Sequence, residues 1–493
     1  MNSILTKSPA GNFLGTNSNG INFYYGISYA ESCGGKGRWT LSKKKKEYKH
    51  RNIKGLSSFQ TVFEKSMLFD PTHPEPSEDC LSLNIASPEN AADLPVMIWI
   101  HGGAYLTGSA NGAIYDMESL ASRGVILVTI NYRLGPFGFL KLDEVTNGII
   151  PSTGNEGLLD QRLAIQWVKE NIEAFGGNPE NITIFGESAG SWSCALQVGM
   201  GINGDFQKVI CQSGGADAVK TIEEANKWGE LFISRCHDEG ISIKDLLEID
   251  PNKIINIARL MRHIELSDGS KWIMPEIGFA PVIDNHHLHE DYMNNFQNND
   301  FDLMTGITLD EYRLWSAFHP FYKNLSKENL IKRLKKIFKE EYIDNIISLY
   351  SEYISKDNYG HLLSAVMTDI TFGTPVEDIL LLHKNAFAYI FTPQSPLIKG
   401  ELGAFHSSEL PYLFGVQNKP PYKKWSSDDR DAVTSIMQEA WVNFAKTGNP
   451  SINNFEWKPF NKDENYALIG SSIKNIKSPF KERYRAVNDA KNF

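Results

Sequence analysis

A series of short apolar runs, each ending at a small or polar residue, constrains this chain more than any other feature. "LPVMIWI" (94–100) runs into His101-Gly102-Gly103, and "VILVTI" (125–130) into Asn131-Tyr132-Arg133. "NITIFG" (181–186) leads to Glu187-Ser188, and "KVICQSG" spans 208–214. "FDLMTG" (301–306) precedes Asp310-Glu311, and "AFAYIF" (386–391) lies upstream of His406. Continuous Val/Ile/Leu runs of strand length suit strands buried on both faces, as in a parallel sheet covered by helices.

Helical patterns lie between them. "EGLLDQRLAIQWVKENIEAFGG" carries Leu159, Leu163, Trp167 and Ile172 near helical spacing and ends on Gly176-Gly177, a C-cap signal. "SSDDRDAVTSIMQEAWVNFAKTGNP" begins with capping residues, aligns Val433, Ile436, Met437, Ala440, Trp441 and Phe444, and stops at Gly448 and Pro450. Strands alternating with helices predict an α/β fold, in which reactive groups gather at the carboxyl ends of strands. Residues 217–300 and 312–385 read instead as helical or loop-like. "SKENLIKRLKKIFKEEYIDNII" places Leu330, Leu334, Ile337 and Phe338 on one helical face. We expect these two segments to be insertions that cap one end of the sheet, within one domain spanning 1–493.

Ser188 sits between glycines in "FGESAGSW", as Gly186-x-Ser188-x-Gly190. A serine hydroxyl is a poor nucleophile unless a base activates it and a sharp strand-to-helix turn exposes it. That turn crowds the residues two before and two after, where glycine relieves the clash. Acyl transfer also needs N–H groups aimed at the oxyanion. Ala189, after the nucleophile, can supply one, and Gly102 and Gly103 in "HGGAY" can supply others. His101 reads as a brace for that loop. The base and its orienting acid follow in the order Ser, Asp/Glu, His. Histidines at 237, 263, 286, 287, 289, 319, 361, 383 and 406 are all downstream. Residue chemistry alone does not choose among them. The group His286, His287 and His289 fits no standard zinc spacing, so no metal is expected.

The bulk properties exclude other classes. A net charge of −10 argues against nucleic acid or an anionic membrane as partner. The run Lys43–Lys46 reads as a solvated loop. No apolar run approaches the length of a membrane span, and the N-terminus lacks an apolar signal segment. The five cysteines, Cys33, Cys80, Cys194, Cys211 and Cys236, read as free thiols of a reducing compartment. Asn181-Ile-Thr183 and Asn324-Leu-Ser326 match a glycosylation pattern that has no consequence in a cytoplasmic protein.

At this point the chain resembles the type-B carboxylesterases, which include cholinesterases and bacterial para-nitrobenzyl esterases and share the α/β-hydrolase fold. The resemblance runs through "GISYAESCGGKGRW" (26–39), "SEDCLSLNI" (77–85), "PVMIWIHGGAY" (95–105), "NYRLGPFGFL" (131–140) and the segment from Gly154 to Gly190. It continues in "GITLDEYRLW" (306–315), "GAFHSSELPYLFG" (403–415) and "WVNFAKTGNPS" (441–451). It implies that Glu311 is the acid and His406 the base. It also implies that Ser213 stands behind the triad, that Glu187 makes structural hydrogen bonds beside the elbow, and that Arg38 and Glu78 form a salt bridge. Asp310 reads as structural.

The chain departs from the family pattern in three places. Tyr312 stands where the family usually has glycine after the acid, which puts the local backbone in question. Cys80 has only Cys33 upstream, at a separation that does not match the bridge of secreted members, so no disulfide is expected. The segment "LFDPTHPEP" (68–76) lacks the tryptophan that holds choline, which argues against choline esters and leaves the bacterial para-nitrobenzyl esterases closest in character.

The expected function is hydrolysis of small to medium carboxylic esters through an acyl-enzyme, without a cofactor. One alternative is an inactive esterase-like adhesion domain. Another is a lipase, amidase or carbamate hydrolase using the same triad. Trp272, Trp315, Phe318 and Phe321 are candidates for a gorge lining or for core. Oligomeric state and natural substrate are not legible.

Overall fold

The computed structural model of the chain describes residues 2–46, 48, 50–60, 75–261, 278–354 and 358–491. Among these residues the frame is one twelve-stranded sheet. The strands are β1 (Asn2–Ser8), β2 (Gly11–Ser18), β3 (Ile21–Ser28), β4 (Ser82–Pro88), β5 (Leu94–Ile100) and β6 (Ile126–Ile130), followed by β7 (Gly177–Glu187), β8 (Lys208–Gln212), β9 (Asp302–Thr308), β10 (Ala386–Phe391), β11 (Asn465–Ile469) and β12 (Ile473–Lys477). Their spatial order is β1-β2-β3-β4-β6-β5-β7-β8-β9-β10-β11-β12. From β6 to β11 every pairing is parallel. The edges β1–β4 and β12 pair antiparallel, as does β4 with β6.

Side-chain alternation along the central strands explains why those runs are apolar without interruption. In β5, Val96, Ile98 and Ile100 enter one core cluster, while Met97 and Trp99 enter the other. In β6, Ile126, Val128 and Ile130 face the first and Leu127 the second. Each face of the sheet therefore has its own helical cover. The helix Glu156–Asn171 continues into a short 3-10 turn and ends at Gly176, whose φ of 87° is left-handed. The helix Arg430–Thr447 lies on the opposite face and ends at Gly448, φ 77°. The helix Lys327–Ile337 is capped by Ser326 and buries Leu330, Leu334 and Ile337, with Phe338 already extended beyond it.

Among the described residues, the segments between β8 and β9 and between β9 and β10 add no strand to the sheet. Both are helical. The second holds the helices Gly360–Thr368 and Thr374–Leu382, joined through a π-helical turn, Asp369–Gly373. No helix among the described residues is long and apolar enough to cross a membrane.

Candidate active site

The carboxyl ends of β5, β7, β8 and β9, with the segment that follows β10, bring the predicted site residues together. Ser188 follows β7 directly and begins the helix Ala189–Gly199 with φ 58° and ψ −123°. That conformation is strained for a residue with a Cβ, and it persists because the turn is pinned on both sides. The Ser188 N–H donates to Gln212 O of β8 at 2.9 Å, and its carbonyl accepts from Trp192 N–H at 3.0 Å. The flanking glycines are sterically required. A Cβ on Gly186 would come within 2.5 Å of the Gly190 carbonyl, and one on Gly190 would collide with Ile100 O.

The loop after β5 passes close to this turn. A Cβ on Gly102 would lie 3.1 Å from Ser188 Cβ, so only glycine lets that backbone approach. Gly103 has φ 113°. Neither Gly102 nor Gly103 donates its N–H to a backbone carbonyl among the described residues. His101 supports the loop: its ring lies on Tyr132 at 4.5 Å, its Nδ1 is 2.9 Å from Gly102 O, and Tyr132 OH donates to His101 O. Ala189 is the first residue of its helix, where N–H groups lack intrahelical partners.

Glu311 and His406 meet behind this turn. His406 Nδ1 lies 2.6 Å from Glu311 Oε2, and Glu311 Oε1 accepts from Thr308 N–H at 2.8 Å. The His406 backbone N–H donates to the Glu311 backbone O at 3.2 Å. Asp310 is structural: it exchanges hydrogen bonds with Ala404 and pairs with Arg313 at 3.1 Å. Tyr312 takes φ −70° and ψ −11°, ordinary right-handed geometry, and donates its N–H to Thr368 Oγ1. The position therefore needs no glycine, and the Tyr312 side chain is buried.

Glu187 does more than brace the elbow. Its Oε1 accepts from Ser407 Oγ at 2.6 Å and lies 3.1 Å from His406 Nε2. The imidazole is thus held between two carboxylates, Glu311 on Nδ1 and Glu187 on Nε2. Among the described residues no other histidine has a carboxylate on each ring nitrogen. Burial pushes His406 down, but Glu187 and Glu311 outweigh it, and the ring is raised to about 9. Burial likewise pushes Glu187 up, opposed by His406. The direction that governs this pair is that of His406, because close carboxylates flank both of its nitrogens.

Glu409 is a third buried carboxyl that sequence reasoning missed. Burial, reinforced by Glu187 and Glu311, pushes it up to about 8. Its Oε1 accepts from Gln212 Nε2, whose Oε1 accepts from Trp441 Nε1. Its position in "HSSELPY", three residues after the histidine, was the available signal. Ser213 lies beside this group at the end of β8, fully buried with φ 57°.

Aromatic rings complete the site. Phe372 lies 4.6 Å from the His406 ring and Trp315 lies 5.1 Å from it. Trp315, Phe372 and Trp192 form a nearly parallel stack. Trp315 was a sequence candidate, whereas Phe372 was not. Phe318 is instead exposed, and Phe321 packs under the Arg333 guanidinium. Trp272 and most of the segment 68–76 lie outside the described residues. Arg38 and Glu78 form a two-pronged salt bridge, at 2.5 and 2.8 Å. The five cysteines are free and buried. His287 pairs with Asp284 at 2.8 Å.

A parallel-centred sheet, a strained serine between strand and helix, and a buried Glu–His pair at neighbouring strand ends define an α/β-hydrolase. The model of the carboxylesterase family matches residues 2–487. The para-nitrobenzyl esterase of Bacillus subtilis (strain 168) is 31% identical over 482 residues, covering 94% of each chain. The bile salt-activated lipase of Rattus norvegicus is 34% identical over 440 residues, 80% of this chain and 70% of the lipase. A solved para-nitrobenzyl esterase superposes with TM-score 0.82 at 30% identity, covering 98% of this chain and 99% of the other. A Geobacillus stearothermophilus carboxylesterase gives 0.84 at 28% identity with the same coverage. The chain belongs to the carboxylesterase family and is a type-B carboxylesterase.

Proposed function

We propose that the protein hydrolyses small to medium carboxylic esters through a Ser188–His406–Glu311 triad. The observation that carries this reading is the buried 2.6 Å contact of His406 Nδ1 with Glu311, at a ring whose Nε2 faces the residue preceding Ser188. Neutral His406 accepts the proton of Ser188 Oγ as the oxygen attacks the ester carbonyl. For that transfer Nε2 turns from Glu187 Oε1 to Ser188 Oγ, and the imidazolium so formed hands the proton to the departing alcohol. Glu311 holds the tautomer with Nδ1–H and stabilises the imidazolium. The N–H groups of Gly102, Gly103 and Ala189 donate to the tetrahedral oxyanion. Water, deprotonated by His406, attacks the acyl-enzyme and frees Ser188. Apart from the ester and water, these steps use only groups of the chain.

The names of the relatives support esters as substrates. The aromatic stack beside His406 supports an apolar wall for the acyl or alcohol group. The five buried free thiols support a reducing compartment. We assign the segments 217–300 and 312–385 to one domain with the sheet and to the cap over the site, except the helix Thr374–Leu382, which packs on β9 and β10. The test is hydrolysis of para-nitrophenyl acetate, butyrate and octanoate by wild type and Ser188→Ala. A mutant reduced by several orders of magnitude supports the reading. A folded mutant of equal activity removes Ser188 from the mechanism, and the chain-length profile distinguishes an esterase from a lipase-like preference.

A further inference from the structure

The π turn Asp369–Gly373 is the point at which the C-terminal helix, Lys481–Ala490, reaches the active site. A π turn inserts one extra residue into a helix, which shifts the faces of the flanking helices relative to each other. Here the shifted residue includes Phe372, fully buried, between Trp192 of the elbow helix and Trp315 beyond Glu311. Among the described residues Phe372 is the aromatic ring nearest His406, at 4.6 Å.

Two contacts from the C-terminal helix pin this turn. Arg483 grips Asp369 with two parallel hydrogen bonds, Nε to Oδ2 and Nη2 to Oδ1, each 2.9 Å. Asp369 is fully buried, and Tyr350 OH donates to its Oδ2 at 2.5 Å. The guanidinium lies over Tyr350 and Phe480 at 4.7 and 4.6 Å and donates to Tyr353 OH at 2.8 Å. One residue further on, Tyr484 packs on Gly373 so closely that a Cβ there would lie 2.6 Å from its OH. A fork of this geometry in a buried setting fixes orientation as well as position.

We propose that the Arg483–Asp369 pair positions the His406 imidazole from behind: it fixes the π turn, and the turn sets Phe372 as the wall against which the ring lies. Arg483 is then a positioning residue acting through Phe372, although it touches no reacting atom. The inference rests on the ester-hydrolase reading for its kinetic test only.

That test is a double-mutant cycle on para-nitrophenyl butyrate. The pair replacement Arg483→Met with Asp369→Leu removes the pin without leaving a buried charge alone, a change that folds tolerate. It is made in wild type and in Phe372→Ala. In wild type it lowers kcat about tenfold with KM changed less than about threefold, as misplacement of a reacting group does. In the Phe372→Ala background it lowers kcat less than about twofold, because the two act through one element. Losses that multiply, or a folded pair variant with wild-type kcat, overturn the proposal. Gly373→Ala, which displaces the turn from Tyr484, lowers kcat in the same manner if the pair variant does not fold, and an unchanged kcat there counts against the proposal.

The His406 imidazole carbon resonance, assigned with His406→Gln, gives a readout without catalysis. Its ring-current shift moves in the pinless variants if Phe372 moves, and an unmoved signal overturns the inference. If Ser188→Ala stays active the ester mechanism fails, while this spectroscopic test still stands.

Discussion

Replacing Glu187 with Gln removes one of the two carboxylates that hold the His406 ring. Glu187 Oε1 lies 3.1 Å from Nε2, and both residues are buried. For two point charges at that separation, an effective dielectric of ~20 gives an attraction on the order of 5 kcal/mol, equivalent to roughly four pKa units. Both charges are spread over their groups and Glu311 remains in place, so the expected fall is about one to two units. A histidine acting as general base works only when neutral. The rate therefore rises with pH through its pKa, which is raised to about 9 in the intact site. The assay is kcat/KM for a naphthyl butyrate ester from about pH 5.5 to about pH 10, for both proteins. The rising limb of Glu187→Gln should lie about one to two units lower than that of wild type, whatever happens to the plateau. A limb that stays in place, or moves upward, would refute the assignment of Glu187 as the residue that charges His406.

Stability should fall as pH rises from 6.5 to about 9. His406 is raised from 6.5 to about 9 and Glu409 from 4.5 to about 8, so the folded state holds more protons than the unfolded chain across this window. The stability His406 contributes is fully present below its unfolded value and is lost through its folded one. Denaturant midpoints at several pH values check this, and the decline should flatten in His406→Gln. Gly190→Ala forces a methyl onto Ile100 O and should lower the unfolding free energy read from urea titration by more than about 2 kcal/mol, beyond the ordinary cost of a surface change. Glu78→Gln leaves the buried Arg38 guanidinium with its charge unpaired and should cost about 3–5 kcal/mol in the same assay.

The sequence was most legible where burial is symmetric. The apolar runs at 94–100 and 386–391 coincide with β5 and β10, because both faces of each strand are packed. The antiparallel edge was not read from the residues. β1, "NSILTKS", and β12, "IKNIK", are partly exposed and interrupted by polar residues such as Ser3, Lys7, Lys474 and Lys477, so no continuous apolar run marks them. The order of the central strands, with β6 outside β5, is a long-range property that no local pattern encodes. At the site, the strained elbow at Ser188 was legible because the glycines at 186 and 190 have a steric reason to be there. The choice of His406 among the downstream histidines came from family resemblance, since nothing in its spacing from Ser188 distinguishes it. Phe372 and Glu409 were missed for a related reason. Phe372 looks like an ordinary core aromatic and Glu409 like a solvated carboxylate in its own segment, and only the fold brings them to the surroundings of the imidazole.

The most direct measurement of the central claim is where a covalent intermediate forms. The protein is treated with a para-nitrophenyl alkylphosphonate, which transfers its alkylphosphonyl group to an activated serine with loss of para-nitrophenol, and intact mass and peptide mapping follow. The account predicts one adduct per chain, on Ser188, absent in Ser188→Ala and formed much more slowly in His406→Gln. An adduct on any other residue, or equal labelling of Ser188→Ala, would contradict it.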